Sequence, residues 1–139
     1  MNISQAARAT GLSAKQIRDY EKLGLIAPAP RSGAGYRVYD TADLKRLHFI
    51  CHARAVGFSL AQITELLRLS DDPQRSSCQV KALTGAHIAA ISAKIATLET
   101  MRTTLQSWHD ACAGDDGPEC SILRGLETDE CAHPVLRAE

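Results

Sequence analysis

The sequence predicts a mainly α-helical protein. Aromatic residues are scarce, with one Trp, three Tyr and two Phe in 139 residues, while Ala, Leu, Lys, Arg, Gln and Glu are abundant. Apolar residues recur at three- and four-residue spacing through much of the second half. A chain of 139 residues suits one modest domain, or a small domain with an extended element. No apolar run approaches the roughly 20 residues that span a bilayer. The opening MNISQAARAT lacks a basic flank followed by an apolar stretch, so the expected setting is soluble and cytoplasmic, with no membrane partner.

Residues 2–9 form the first predicted helix, capped by Asn2 or Ser4, with Ile3, Ala6 and Ala7 facing inward. TGLS breaks it: Gly11 suits a helix C-terminus and Ser13 an N-cap. A second helix runs from about 14 to 23 with Ile17, Tyr20 and Leu23 inward, and Gly24 stops it. Two short helices about a tight turn are a helix-turn-helix pattern. Pro28, Pro30, Gly33 and Gly35 exclude helix from the next stretch. There RSGAGYRVY reads as a small basic β-hairpin, a wing, with an alternating Tyr-Arg-Val-Tyr strand. Asp40 or Thr41 caps a third helix, and Ser59 opens a fourth with Leu60, Ile63, Leu66 and Leu67 on one face.

Residues 78–110 contain no proline, and Ile88, Ile91, Ile95, Leu98, Met101, Leu105 and Trp108 recur along them. Their spacings mark the seam of a long helix. A domain this small cannot cover such a stripe alone, so the helix is expected to pair, parallel or antiparallel, with its copy in a homodimer. The alternative is a helix folded back on its own domain. The predicted organisation is a winged helix-turn-helix with connecting helices over 1–70, an antiparallel coiled-coil dimerisation helix over 76–110, a metal-binding loop and short helix over 111–127, and a flexible tail over 128–139.

Charge is distributed unevenly on a chain of zero formal net charge. Residues 1–70 carry ten Lys/Arg against five Asp/Glu, and residues 71–139 carry six against eleven. A basic front half points to a polyanionic partner for that half. Five cysteines is an odd number, and a cytosolic setting favours metal or redox chemistry over a disulfide framework.

Taken together, ISQAARATGLSAKQIRDYEKLGLI, RSGAGYRVY, DLKRLHFICHARAVGFSL and the long helix with its terminal cysteine loop resemble the MerR family of metal-responsive transcription regulators. The resemblance covers residues 1–126 and implies a dimer that binds a palindromic double-stranded promoter. It implies that metal makes the dimer distort that DNA so that RNA polymerase holoenzyme can use it. It implies no enzyme activity. One departure is Asp19, where the family usually carries an aromatic residue. A recognition helix offers its N-terminal residues to the major groove, which makes Ser13, Lys15, Gln16 and Arg18 candidates for base or phosphate contact. Tyr20 is read as half core, half phosphate-facing hydroxyl. Arg31, Tyr36 and Arg37 on the wing, and Arg54 in the third helix, can reach the adjacent backbone.

For CAGDDGPEC, a disulfide, a plain turn and a thiolate metal site formed by Cys112 and Cys120 are all open from the residues. Two thiolates without further ligands suit monovalent ions that accept linear coordination: Cu(I), Ag(I) or Au(I). A divalent ion such as Zn²⁺ ordinarily wants four donors. The loop resembles the copper-efflux-regulator (CueR-like) branch in its cysteine spacing, in GDD and in P-x-C, and by that resemblance Ser77 supports the site from nearby. Cys78, beside it, resembles the cysteine of divalent-sensing relatives. As a third ligand reaching a partner's loop, it would favour Zn, Cd, Pb or Hg in the divalent state. Cys51 reads as core. Cys131 and His133 resemble a Cys/His-rich tail, and His87 and His109 read as surface or seam residues. A thiol-redox sensor, a metallochaperone without DNA binding, and a drug- or oxidant-sensing regulator are the competing functions.

Overall fold

The computed structural model describes residues 1–128. Among them are six helices: α1 (Ile3–Thr10), α2 (Ala14–Lys22), α3 (Thr41–Ala55), α4 (Leu60–Asp71), α5 (Ser77–Ala111) and α6 (Ser121–Leu126). The chain divides into two compact units, Met1–Val80 and Lys81 onward. Cys131 and His133 lie outside the described residues.

Each helix of the first unit up to α4 opens on a capping box, in which two orphan N–H groups are satisfied reciprocally. The pairs are Asn2 with Gln5, Ser13 with Gln16, Asp40 with Asp43, and Ser59 with Gln62. Asn2 and Asp40 are therefore the caps, and Ser4 and Thr41 are not. Gly11 ends α1 in the left-handed region at φ 75°, where its N–H donates to the Ala7 carbonyl at 2.9 Å. A side chain there would be strained, so the turn of the helix-turn-helix needs this glycine.

Four helices share one core: α2 and α3 pack on α1 and α4 packs on α3, burying Ala6 of α1, Ile17 and Tyr20 of α2, Leu47 and Ile50 of α3 and Ile63 and Leu67 of α4 in one cluster. Cys51 packs at the margin of that core, as expected. Leu23 does not: it is 62% exposed. The helix ends at Lys22, and Gly24 at φ 79° redirects the chain so that Leu25 and Ile26 are buried instead. Arg46 of α3 then braces the turn, donating from Nε to the Leu25 carbonyl at 2.7 Å and from Nη1 to both Asp71 oxygens at 2.8 and 2.9 Å.

The wing is smaller than the alternating strand predicted for it. A turn closes through Gly35 N–H to the Ser32 carbonyl at 2.9 Å, and a single bridge pairs Arg31 with Arg37. Pro28 and Pro30 carry no N–H, so a ladder cannot extend toward the root of the hairpin. Val38 N–H still reaches the Pro30 carbonyl at 2.9 Å, and Tyr39 pairs with Met1 through N–H to carbonyl contact at 2.7 Å. Tyr39 is buried, and that burial, followed by the nearby Glu21 carboxylate, pushes its hydroxyl pKa up.

In the second unit α5 continues to Ala111, so the 35-residue helix is about 52 Å long. None of its residues is buried. Its seam stays open along the chain's own surface, with Ile88 58%, Ile95 51%, Leu98 61% and Leu105 56% exposed.

Truncating the first unit's core at its centre should be costly. Leu47→Ala, at a position with no exposed surface, is expected to lower unfolding free energy by about 2–5 kcal/mol. Urea unfolding followed by circular dichroism would measure it, and a loss within error of zero would contradict the packing described.

Candidate metal centre and nucleic-acid interface

In the first unit, α2 presents Lys15, Gln16 and Arg18 to solvent. Ser13 Oγ accepts from Gln16 N–H at 3.1 Å, and Gln16 Oε1 accepts from Ser13 N–H at 2.9 Å. The capping box thus engages the acceptor atoms of both side chains and leaves the Ser13 O–H and the Gln16 amide NH₂ as donors toward a ligand. Lys15 Nζ lies 3.6 Å from Asp19 Oδ2, one turn along the same helix. The unexpected carboxylate therefore pairs with a candidate phosphate contact. Tyr20 is only 4% exposed, which corrects the half-exposed role expected of it. Its ring is a core element because α2 turns the Ile17/Tyr20 face inward.

With α2 and α3 both packed on α1, Arg54 of α3 shares one open cleft with Gln16, Asp19, Tyr20, Lys22, Leu23 and Leu60. A cation 38 residues away in sequence thereby joins the α2 face, together with Lys22, which sequence reasoning missed. Lys22 sits one turn beyond Arg18, and that spacing was the available signal.

On the wing, Tyr36 is 71% exposed beside the turn. Arg31 Nη1 donates to the Gly35 carbonyl at 2.9 Å, bracing the turn from an exposed position. Arg37 is more confined. Its Nε lies 3.4 Å from Glu21 Oε2, and Glu21 Oε1 accepts from Ala29 N–H at 3.1 Å. Glu21 is largely buried, so this carboxylate ties the end of α2 to both the strand root and the wing. Arg37 is held in place by an ion pair as well as being available to an anion.

The second unit places the loop cysteines together. Cys112 follows the last residue of α5, its N–H donating to the His109 carbonyl at 3.2 Å. Gly114 takes φ 67°, and Asp115 Oδ1 accepts from Gly117 N–H at 2.9 Å to tighten the turn. Cys120 then stands at the N-cap position of α6, with no capping hydrogen bond from its side chain. The two sulfurs are 3.7 Å apart and both half-buried. At that distance they are two free thiols in contact, not a disulfide, whose sulfurs sit about 2.05 Å apart. The backbone N–H groups of Leu123 and Ile122 favour the Cys120 thiolate. With Leu123 as the leading cause, and with Cys112 and Arg124 adding to it against the opposing effect of burial, they lower its pKa from the ordinary thiol value. Asp115, Asp116 and Glu119 are exposed around the loop and add negative charge that attracts cations.

The donor set fits a thiophilic ion. With metal–thiolate bonds of about 2.3 Å, the observed separation corresponds to a near-tetrahedral angle, and a linear ion needs the sulfurs about 4.6 Å apart. The loop must open by less than one ångström to move from one geometry to the other. Among the described residues no group of three or more His, Cys, Asp and Glu forms a metal cluster. Ser77 begins α5 and Cys78 is exposed in its first turn, whereas the loop follows its last. His109 is exposed, 3.3 Å from Asp110.

Residues 1–70 match the family model described as MerR HTH family regulatory protein, and residues 44–108 match the model described as MerR, DNA binding. This chain belongs to the MerR family. It is a DNA-binding transcription regulator, not an enzyme. The MerR chain is similar to a probable heavy metal-dependent transcriptional regulator of Haemophilus influenzae, 60% identical over 91% of this chain and 98% of that one. It is 44% identical to the HTH-type transcriptional regulator CueR of Escherichia coli O6:H1, over 96% of this chain and 97% of the other. Among solved structures it resembles the transcription regulator PbrR691 of Ralstonia metallidurans CH34 in complex with lead(II). That match has a TM-score of 0.79 and 33% identity, covering 91% of this chain and 98% of the other. No helix among the described residues is long and apolar enough to cross a membrane.

Two outcomes follow from this geometry. In the metal-free protein, the alkylation rate of Cys120 should rise at a lower pH than that of a free cysteine thiol, because only the thiolate attacks. Iodoacetamide labelling read by mass spectrometry would show it, and an inflection at or above the free-thiol value would contradict the N–H environment described. Arg54→Ala should weaken operator binding similarly across sequences and reduce the salt slope by about 1. Fluorescence anisotropy across salt concentrations tests this, and an unchanged slope would remove Arg54 from the interface.

Proposed function

We propose that this protein is a homodimeric, heavy metal-responsive transcription activator whose Cys112–Cys120 loop takes a soft monovalent ion, Cu(I), Ag(I) or Au(I), and controls a metal efflux or detoxification promoter. The observation that carries this reading is the 3.7 Å approach of two half-buried thiols across one tight loop. Thiolates select soft ions, and a two-thiolate set suits monovalent ions that accept two ligands. The similarity to a heavy metal-dependent regulator and to CueR supports the metal response.

Dimerisation through α5 is supported by its exposed seam. Apolar surface removed from water contributes about 25 cal/mol per Å², and a second copy supplies a matching seam along the same length. The basic helix-turn-helix and wing of each copy would then read one half of a palindromic operator.

Regulation in this reading runs through the ends of helices. Cys112 closes α5 and Cys120 opens α6, so joining the sulfurs holds α6 at the end of α5. An ion that binds the ordered loop better than the open one shifts the balance between those states. The ordered state distorts promoter DNA, which changes its fit to RNA polymerase holoenzyme. Ser77 stands at the opposite end of α5 from the loop of its own chain, so in this account the support comes from Ser77 of the second copy.

A second reading has one observation in its favour. The sulfur separation already matches the tetrahedral angle, and an exposed Cys78 from a second copy could supply a third thiolate for Zn, Cd, Pb or Hg in the divalent state. In vitro transcription under reducing conditions, titrated with Cu(I), Ag(I), Zn²⁺, Cd²⁺, Pb²⁺ and Hg²⁺, separates the two. The expected result is activation by Cu(I) and Ag(I), lost in Cys112→Ser and in Cys120→Ser and kept in Cys78→Ser. Activation surviving both loop substitutions would overturn the metal-loop reading. A divalent response lost in Cys78→Ser would establish the three-thiolate site. Activation by a thiol oxidant without metal would favour a redox sensor.

A further inference from the structure

The short helix after the loop meets the end of the long helix at Trp108, the only tryptophan in the chain. Ser121 Oγ donates to the Trp108 carbonyl at 3.1 Å. One turn along α6, on the same face, Gly125 lies directly on the indole. A Cβ at Gly125 would stand 2.5 Å from Trp108 Cε2, 2.7 Å from Nε1 and 2.9 Å from Cδ2. These atoms belong to a rigid fused ring, so no small side-chain rotation relieves the overlap; the ring or the helix must move.

Glycine is a poor helix former, and a six-residue helix has little propensity to spare. Its place in α6 is explained by this approach and by nothing in the local chain. The two contacts bracket the cysteine pair: Trp108 lies four residues before Cys112, and Ser121 immediately follows Cys120. The state of the sulfur pair and the docking of α6 are therefore adjacent events at the end of α5.

We propose that Trp108 is a positioning residue, the seat on which α6 docks, and that the bare Cα of Gly125 lets docking of α6 transmit the state of the cysteine loop to α5. The transmission step rests on the thiolate reading above; the seat itself does not. Trp108 touches neither the ion nor DNA in this account. It acts by deciding where α6 lies.

The test uses the full chain and the sole tryptophan as its own reporter. In the metal-free protein, Gly125→Val should shift Trp108 emission to the red and raise acrylamide quenching about twofold, because the helix no longer covers the ring. Unchanged emission and quenching would overturn the seat. With Ag(I) as the probe, thiolate-to-metal absorption measures binding separately from promoter activation. Gly125→Val is expected to keep Ag(I) affinity within a few-fold while activation falls by about tenfold, a coupling loss of ordinary size. Trp108→Leu combined with Gly125→Val should recover most of that activation, since a smaller side chain makes room for the new one. Activation unaffected by Gly125→Val, or lost only in proportion to Ag(I) binding, would overturn the positioning role. If the unsubstituted chain shows no Ag(I) absorption, the thiolate reading falls and the transmission step with it, whereas the quenching result judges the seat alone.

Discussion

Ile88, Ile95, Leu98 and Leu105 lie along one helix, each more than half exposed, and water around that much apolar surface is unfavourable until something covers it. A helix of 35 residues without a buried side chain cannot owe its stability to packing within its own chain. Isolated helices are marginal in water even with favourable composition, because nucleation is costly and propagation gains little per residue. The proposed pairing of two such seams relieves both problems. It also gives the proposed sensing loop a fixed reference, because the last turn of a supported helix is a rigid platform.

The loop itself is built to be easily biased between states. Small residues and one left-handed glycine let nine residues return on themselves, and the two sulfurs meet through a thiol–thiol contact with no covalent bond between them. The N–H groups at that helix start favour the thiolate over the thiol. A metal-binding group whose deprotonated form is favoured before the ion arrives releases its proton at less cost on binding. Acidic side chains outside the pair add a long-range attraction for cations without entering the sulfur pair itself.

At the other end of the chain, Glu21 has a comparable organising role. One carboxylate accepts from Ala29 N–H and faces Arg37, so the end of α2, the turn after it and the wing are held as one surface. A largely buried carboxylate needs such partners, because desolvating a charge without compensation is expensive. The pairing also means that the basic character of the wing is not all available to DNA. Lys15 is similarly shared with Asp19, so the anion-facing charge of the recognition helix is smaller than the count of its cations.

Local chemistry determined much of this in advance. Capping residues, helix-ending glycines and the apolar periodicity placed α1 to α5 within a residue or two, because each signal acts over a single turn of helix. The cysteine pair was legible for the same reason, since both thiols belong to one short loop. Three features were decided only by tertiary structure. Leu23 points outward because Gly24 redirects the chain, the wing keeps a single bridge because two prolines deny it donors, and Arg54 joins the α2 face because α2 and α3 both pack on α1. Gly125 on Trp108 is of the same kind: seventeen residues separate them, and no periodic pattern records that one ring will occupy the space where a Cβ would be. Sequence spacing reports what a residue does to its own turn; which distant groups meet is set by packing, and packing depends on the shapes of both partners at once.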